Sequence, residues 1–147
     1  MFVVDSNILI YAANNHALEK PPCEEFLDRA MRQAGAWFLT WSICYEFLRV
    51  STHPRIFPSP LSAGESWSFL EILLSSPGLQ VLAPTDRHPA ILAQVLRERP
   101  DLSGNRMHDT QTAVLMREHG VKRIYTRDTD FHRFPFLEVF DPLTQKI

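Results

Sequence analysis

The sequence predicts an α/β fold with a largely parallel sheet covered by helices on both faces. Three observations lead there. Short apolar runs alternate along the chain with longer segments of helical spacing. Roughly one helical pattern separates successive strands, as βαβ units require. Capping residues, first-turn prolines and terminal glycines mark where several helices start and stop.

The elements follow in order. Residues 2–5 read as a short buried strand, and 6–13 as a helix that Ser6 or Asn7 can cap. "PPCEEFLDRAMRQAG" has prolines in its first turn, then glutamates. Phe26, Leu27, Ala30, Met31 and Ala34 share one stripe, and Gly35 is expected to end it. "AWFLT" is a strand, and "SICYEFLRVS" resumes helical spacing through Ile43, Phe47 and Val50. The three prolines of "THPRIFPSPLS" predict a loop. Ser62 and Glu65 form a capping box for a helix whose apolar face is Trp67, Leu70, Leu73 and Leu74, stopped by Pro77-Gly78. "LQVLA" is a strand, and Thr85 is expected to cap a helix reaching about Arg99. After the turn-rich "PDLSGN", "MHDTQTAVLMREHG" reads as a helix closed by Gly120. "KRIYT" is a strand, "RDTDF" a loop and "LEVF" a last strand.

In open parallel sheets, ligands bind beyond the carboxyl ends of the strands. Five carboxylates are expected at that edge. Asp5 ends the first strand, and Asp128 and Asp130 follow "RIYT". Glu46 lies about one turn into the helix after "WFLT", and Asp109 in the first turn of its own helix. Each alone has an ordinary role: helix-dipole partner, an i,i+3 pair with Arg49, or turn former. Gathered at one edge, like charges repel unless something neutralises them. Oxygen ligands without histidine or cysteine suit Mg2+ or Mn2+. A metal ion held so activates water and stabilises displacement at a phosphodiester.

Bulk properties narrow the function. The 147 residues suit one domain, and 45% hydrophobic with 22% charged residues is a globular balance. A net charge of -2 argues against a protein that coats DNA. No apolar run approaches the ~20 residues of a membrane span, and no signal peptide is read, so a cytoplasmic protein is expected. Cys23 and Cys44 read as buried small hydrophobes, and the six histidines lack zinc-type spacing. A haloacid-dehalogenase-type phosphatase would need DxD at the first acid, but Asn7 holds that second place.

The assembled motifs resemble the PIN-domain ribonucleases, and among them the VapC toxins of bacterial toxin–antitoxin pairs. "VVDSNILIYA" is similar to the family's opening, "YEFLR" to its central Glu helix, and "HDTQTAVLMREHG" to its third-acid helix. "YTRDTDFHRFPFLEVFDPL" resembles its final motif, and "STHPRIFPSPLS" with "FPFLEVFDPL" suggests one VapC subgroup. The likeness covers nearly the whole chain. It implies one PIN domain over residues 1–147, with a three-layer α/β/α fold and a five-stranded parallel sheet. It also implies Mg2+- or Mn2+-dependent endoribonuclease activity, a homodimer, and a small VapB antitoxin whose tail enters or blocks the acidic groove.

Residue by residue, Asp5, Glu46 and Asp109 carry over. Asp128 is favoured as the fourth acid, with Asp130 as its alternative. Ser6 stands where Thr is frequent, a candidate to hold a metal-bound water; Thr126 matches the hydroxyl before the last acid, and Asn7 is a further neighbour. Thr110, where Ala is common, is a mild departure. Arg49, His53, Arg55 and Arg106 flank the acids, with two roles open: holding RNA phosphates, or pairing with a site acid (Arg49) and standing in solvent (Arg55). Trp37, Trp41 and Trp67 read as core or dimer-face residues. The competing reading is a PIN fold without toxin activity that binds or processes RNA. Loss of an acid would signal it, and none is missing.

Overall fold

The computed structural model describes residues 1–144. Among them five strands form a sheet: β1 (Phe2–Val4), β2 (Trp37–Thr40), β3 (Leu79–Leu82), β4 (Arg123–Tyr125) and β5 (Glu138–Phe140). Their order is β3-β2-β1-β4-β5, and every neighbouring pair is parallel. The helices flanking the sheet are α1 (Ser6–Ala13), α2 (Lys20–Arg32), α3 (Trp41–Ser51), α4 (Ala63–Leu74), α5 (His88–Glu98) and α6 (Arg106–Glu118). None is long and apolar enough to cross a membrane.

Burial explains the strand sequences. Every residue of β1 and β2 is buried, and all but Thr40, which ends β2, are apolar. The edge strands β3 and β5 are only partly covered. Phe2, Phe26 and Tyr125 pack around one point, with ring centroids 4.8 Å apart for Phe26–Tyr125 and 5.0 Å for Phe2–Tyr125. This contact ties α2 to the two strands that carry the site. Cys23 and Cys44 are free and buried, as expected, and burial pushes both thiols up to about 11.

The strand order sets where a ligand can bind. From β1 the chain builds outward through β2 to β3, then returns to place β4 and β5 on the other side. The β1/β4 boundary is therefore the point where the winding reverses, and a crevice opens beyond it. Val4 pairs with Tyr125. The two strands thus end level and release Asp5 and Thr126 side by side.

Several expectations sharpen. Asp5, rather than Ser6 or Asn7, caps α1: its backbone is extended and its carboxylate accepts the Ser6 N–H at 2.7 Å. Helix α2 stops at Arg32, before Gly35. Helix α5 starts at His88, where Pro89 suits the first turn; Thr85 sits upstream and its hydroxyl accepts the Arg87 N–H at 3.2 Å. The expected loop "RDTDF" instead leads into a short 3-10 helix, Thr129–Arg133, capped by Asp128. The Ser62–Glu65 capping box forms as expected. So does the Gly120 stop of α6, at φ +70°. The Val121 N–H reaches the Met116 carbonyl at 2.9 Å and the Gly120 N–H the Arg117 carbonyl at 3.3 Å, a Schellman motif. The proline-rich loop is anchored by Phe57, which is fully buried.

One buried acid escapes the sequence patterns. Glu118, in the last turn of α6, is 2% exposed. Its carboxylate accepts the Thr85 N–H at 2.6 Å and the Thr85 hydroxyl, and His88 Nδ1 lies 2.7 Å away. The Arg87 guanidinium donates to the Glu118 carbonyl. Burial alone would raise this carboxyl, yet the Thr85 and His88 hydrogen bonds prevail and hold it at about 2. The result is a polar clamp between α6 and the β3–α5 turn.

Candidate active site

Asp5 is the most tightly held of the five acids. Its own N–H donates to the Tyr125 carbonyl at 3.0 Å, locking the end of β1 to β4. One carboxylate oxygen accepts the Ser6 N–H and lies 3.4 Å from the Ser6 hydroxyl. The other accepts the Thr126 hydroxyl at 2.7 Å and the Asn7 amide at 3.1 Å. Thr126 is the hub: its oxygen also accepts the Asp128 N–H at 2.9 Å and the Asn7 amide at 3.0 Å. Ser6, Asn7 and Thr126 therefore join the end of β4 to the start of α1. They fix both Asp5 and the backbone of Asp128.

Asp109, Asp128 and Asp130 come closest to one another. Each offers a carboxylate oxygen, and the three lie within 4.8 Å of one another. Asp109 projects from the first turn of α6. Asp128 caps the 3-10 helix by accepting the Asp130 N–H at 2.8 Å, which brings the two acids together. They face a cavity of about 500 Å³, also lined by Glu46, Arg49, Asn105, Arg106 and His108. Glu46 reaches it from α3, which starts directly after β2 with Thr40 accepting the Ile43 N–H.

Charge crowding shows in the acids themselves. Asp109 is pushed up to about 7, first by burial and then by Asp5, Asp128, Glu46 and Asp130. Asp5 rises to about 6 through burial, against the pull of its Thr126 and Ser6 hydrogen bonds; Glu46 and Asp128 add to the rise. Among the described residues, Asp5, Asp109 and Asp128 have no ion-pair partner, whereas Glu46 has Arg49 at 4.0 Å and Asp130 has Arg133 at 3.1 Å. Crowded carboxylates that repel each other, three of the five with no ion-pair partner among the described residues, fit a hard divalent ion such as Mg2+ or Mn2+.

The expected basic residues separate. Arg49 and Arg106 line the cavity. Arg55 and His53 are not among its lining residues; they meet each other in the loop after α3, where the Arg55 N–H donates to His53 Nδ1 at 3.1 Å. Thr110 is buried and its hydroxyl donates to the Arg106 carbonyl at 2.8 Å, so it fits inside α6. Trp37 is core, while Trp41 and Trp67 are exposed. Asn105 and Arg133 were not legible as site neighbours. The first lies in a loop rich in turn residues, and the second is brought in by the 3-10 turn. An i,i+3 spacing from Asp130 was the one available signal for Arg133.

Comparison with known proteins shows the family. The PIN domain family model matches residues 2–137. The chain is 32% identical over 134 residues to Ribonuclease VapC37 of Mycobacterium tuberculosis, spanning 91% of this chain and 92% of that one. Ribonuclease VapC48 of the same species is 24% identical over 140 residues, covering 95% and 96%. Among solved structures, VapBC2 from Rickettsia felis, bound to a DNA fragment from its promoter, superposes with a TM-score of 0.69 at 18% identity, covering 95% of this chain and 97% of that one. The sarcin-ricin loop cleaving toxin VapC20 of M. tuberculosis gives 0.68 at 15%, covering 95% and 98%. These solved structures share the fold of the sheet and helices described above. With a match along almost its entire length and a VapC relative above 30% identity, the chain belongs to the PIN-domain family, among its VapC members.

Proposed function

We propose that this protein is an endoribonuclease dependent on Mg2+ or Mn2+, and the toxin of a VapBC-type pair. One observation carries the metal-dependent chemistry: three carboxylates within 4.8 Å of one another, one of them raised to about 7 by burial and by its neighbours. The names of the curated VapC relatives, which are ribonucleases, support RNA as substrate. A divalent ion held there supplies a Lewis acid for the phosphoryl oxygens and an activated water.

The chain's own groups take the remaining tasks. Asp109 and Asp128 would hold the ion, with Asp5 behind them as the rigid inner acid. Thr126, Ser6 and Asn7 keep Asp5 oriented. Asp128 is the fourth acid because it has no cation partner among the described residues, and Asp130 is the outer one. Glu46, across the cavity, accepts the proton of the attacking water. Arg49 and Arg106 hold RNA phosphates beside the scissile bond. Arg55 stands outside the cavity lining and is given no RNA contact.

The partners follow the same reading. A small VapB-like antitoxin neutralises the enzyme. An apolar groove of about 340 Å³, lined by Ala12, Leu27, Met31, Phe69, Ile72 and Leu73 with Glu24 and Asp28, gives it a place to bury apolar side chains. A homodimer forms through exposed Trp41 and Tyr45, one turn apart on α3, and Met107 at the start of α6.

The test uses protein freed of its antitoxin. RNA cleavage is expected with Mg2+ or Mn2+, is expected to stop with EDTA, and to vanish in Asp5→Asn and Asp109→Asn while the circular dichroism spectrum is retained. Undiminished cutting in both variants would overturn the site assignment. RNA binding without any cutting would favour the inactive-module reading instead.

A further inference from the structure

We propose that Arg133 is a built-in counter-cation that competes with the divalent ion for Asp130 and so limits how tightly the cluster binds metal. The inference rests on reading the carboxylate cluster as a cation site. The acids there fall into two kinds. Asp109 and Asp128 have no ion-pair partner among the described residues. Glu46 and Asp130 each have an arginine three residues on, but only Arg133 is in hydrogen-bond contact, with Nη2 at 3.1 Å from Asp130 Oδ1. Asp130 is also one of the three acids whose oxygens lie within 4.8 Å of one another. A positive charge therefore already rests on one corner of the proposed site.

The arginine has a second place to go. Its Nη1 lies 4.0 Å from Asp101 Oδ2, outside the cavity lining. Asp101 is held by two hydrogen bonds from Arg99, at 2.9 and 2.8 Å, and Arg99 in turn donates to the Arg133 carbonyl. The Arg133 Nε is buried with no hydrogen-bond partner among the described residues. A buried donor left unpaired is costly, and a guanidinium satisfied on only part of its fork is poorly locked in place. Arg133 thus stands between an acid of the site and an acid outside it. A divalent ion arriving at Asp109, Asp128 and Asp130 meets repulsion from this charge. Binding is relieved when Arg133 shifts its hold from Asp130 to Asp101. Arg133 is a positioning residue, acting through Asp130.

Mn2+ titration by calorimetry into metal-free, antitoxin-free protein tests this apart from nuclease activity. Arg133→Gln is expected to bind Mn2+ about fivefold more tightly than the wild type. Arg133→Lys, which keeps the charge, should stay close to the wild type. In an Asp130→Asn background the Gln substitution should have a clearly smaller effect, because the competition for Asp130 is gone and only the longer-range repulsion remains. Asp101→Asn, at an exposed residue, removes the alternative partner and should weaken Mn2+ binding; it gives an independent measurement should Arg133→Gln fail to fold. Unchanged or weaker binding in Arg133→Gln overturns the proposal while leaving the cation site intact. So does unchanged binding in Asp101→Asn. A wild-type protein that takes no Mn2+ overturns both.

Discussion

Asp109 and Glu118 sit at opposite ends of α6, and their carboxyls move in opposite directions. Asp109 is raised to about 7 and Glu118 is held at about 2. Burial pushes both upward, so burial does not separate them. The neighbours do. Glu118 is met by an N–H, a hydroxyl and an imidazole aimed at its two oxygens. Asp109 faces four other acids. One end of the helix is a satisfied structural clamp. The other stores repulsion that an added cation or protonation relieves. A buried acid is thus a candidate for chemistry when its surroundings fail to pay for its charge.

The largest effect should come from breaking the unsatisfied end. Asp128→Asn is expected to reduce RNA cleavage to background, measured on labelled RNA with Mg2+, without loss of fold. The same change removes one repelling charge, so the metal-free melting temperature should hold or rise. Breaking the satisfied end should do the reverse. Glu118→Ala strands the Thr85 N–H and hydroxyl, and is expected to cost about 3 kcal/mol in urea unfolding. Cleavage per folded molecule should be unchanged.

Acid titration sharpens the contrast. Glu118 has a depressed folded pKa, so its contribution is present above the ordinary value of 4.5 and is lost as pH falls toward about 2. Asp5 and Asp109 have raised folded values, about 6 and about 7, so their cost is fully present above that range and fades as pH falls toward 3.8. Metal-free protein should therefore melt higher near pH 5 than at pH 8, and lower again below pH 4. Mn2+ should raise the melting temperature at pH 8 far more than at pH 5. A smaller effect is expected at the end of α6 itself. Gly120→Ala places a Cβ at φ +70° and should cost about 1 kcal/mol in the same unfolding assay.

The two ends also differ in how far the sequence revealed them. Asp5, Glu46 and Asp109 were legible because strand ends and helix first turns can be placed from apolar spacing, and parallel strands send them to one edge. Asp128 and Asp130 were legible as a pair. Asp128 was favoured by its place directly after the strand, but the Arg133 contact that sets Asp130 apart was not legible, because it depends on a 3-10 turn. Glu118, two residues before the Gly120 stop, carries no local sequence signal of its burial. Its partners Thr85 and His88 lie far away in the chain, and no local pattern announces a contact between them. Phe57 was hidden for a related reason, since proline spacing predicts a loop and says nothing of what the loop buries. The strands and their order of appearance follow from short-range patterning, whereas polar satisfaction is decided by distant segments meeting.

The most direct test of the account follows Mn2+ occupancy and RNA cleavage in the same antitoxin-free sample as Mn2+ is raised. Cleavage is predicted to appear with the midpoint of Mn2+ binding, and both signals are predicted to be lost together in Asp109→Asn. Full cleavage in EDTA, before any Mn2+ is bound, would contradict the claim that the crowded carboxylates work by holding a cation.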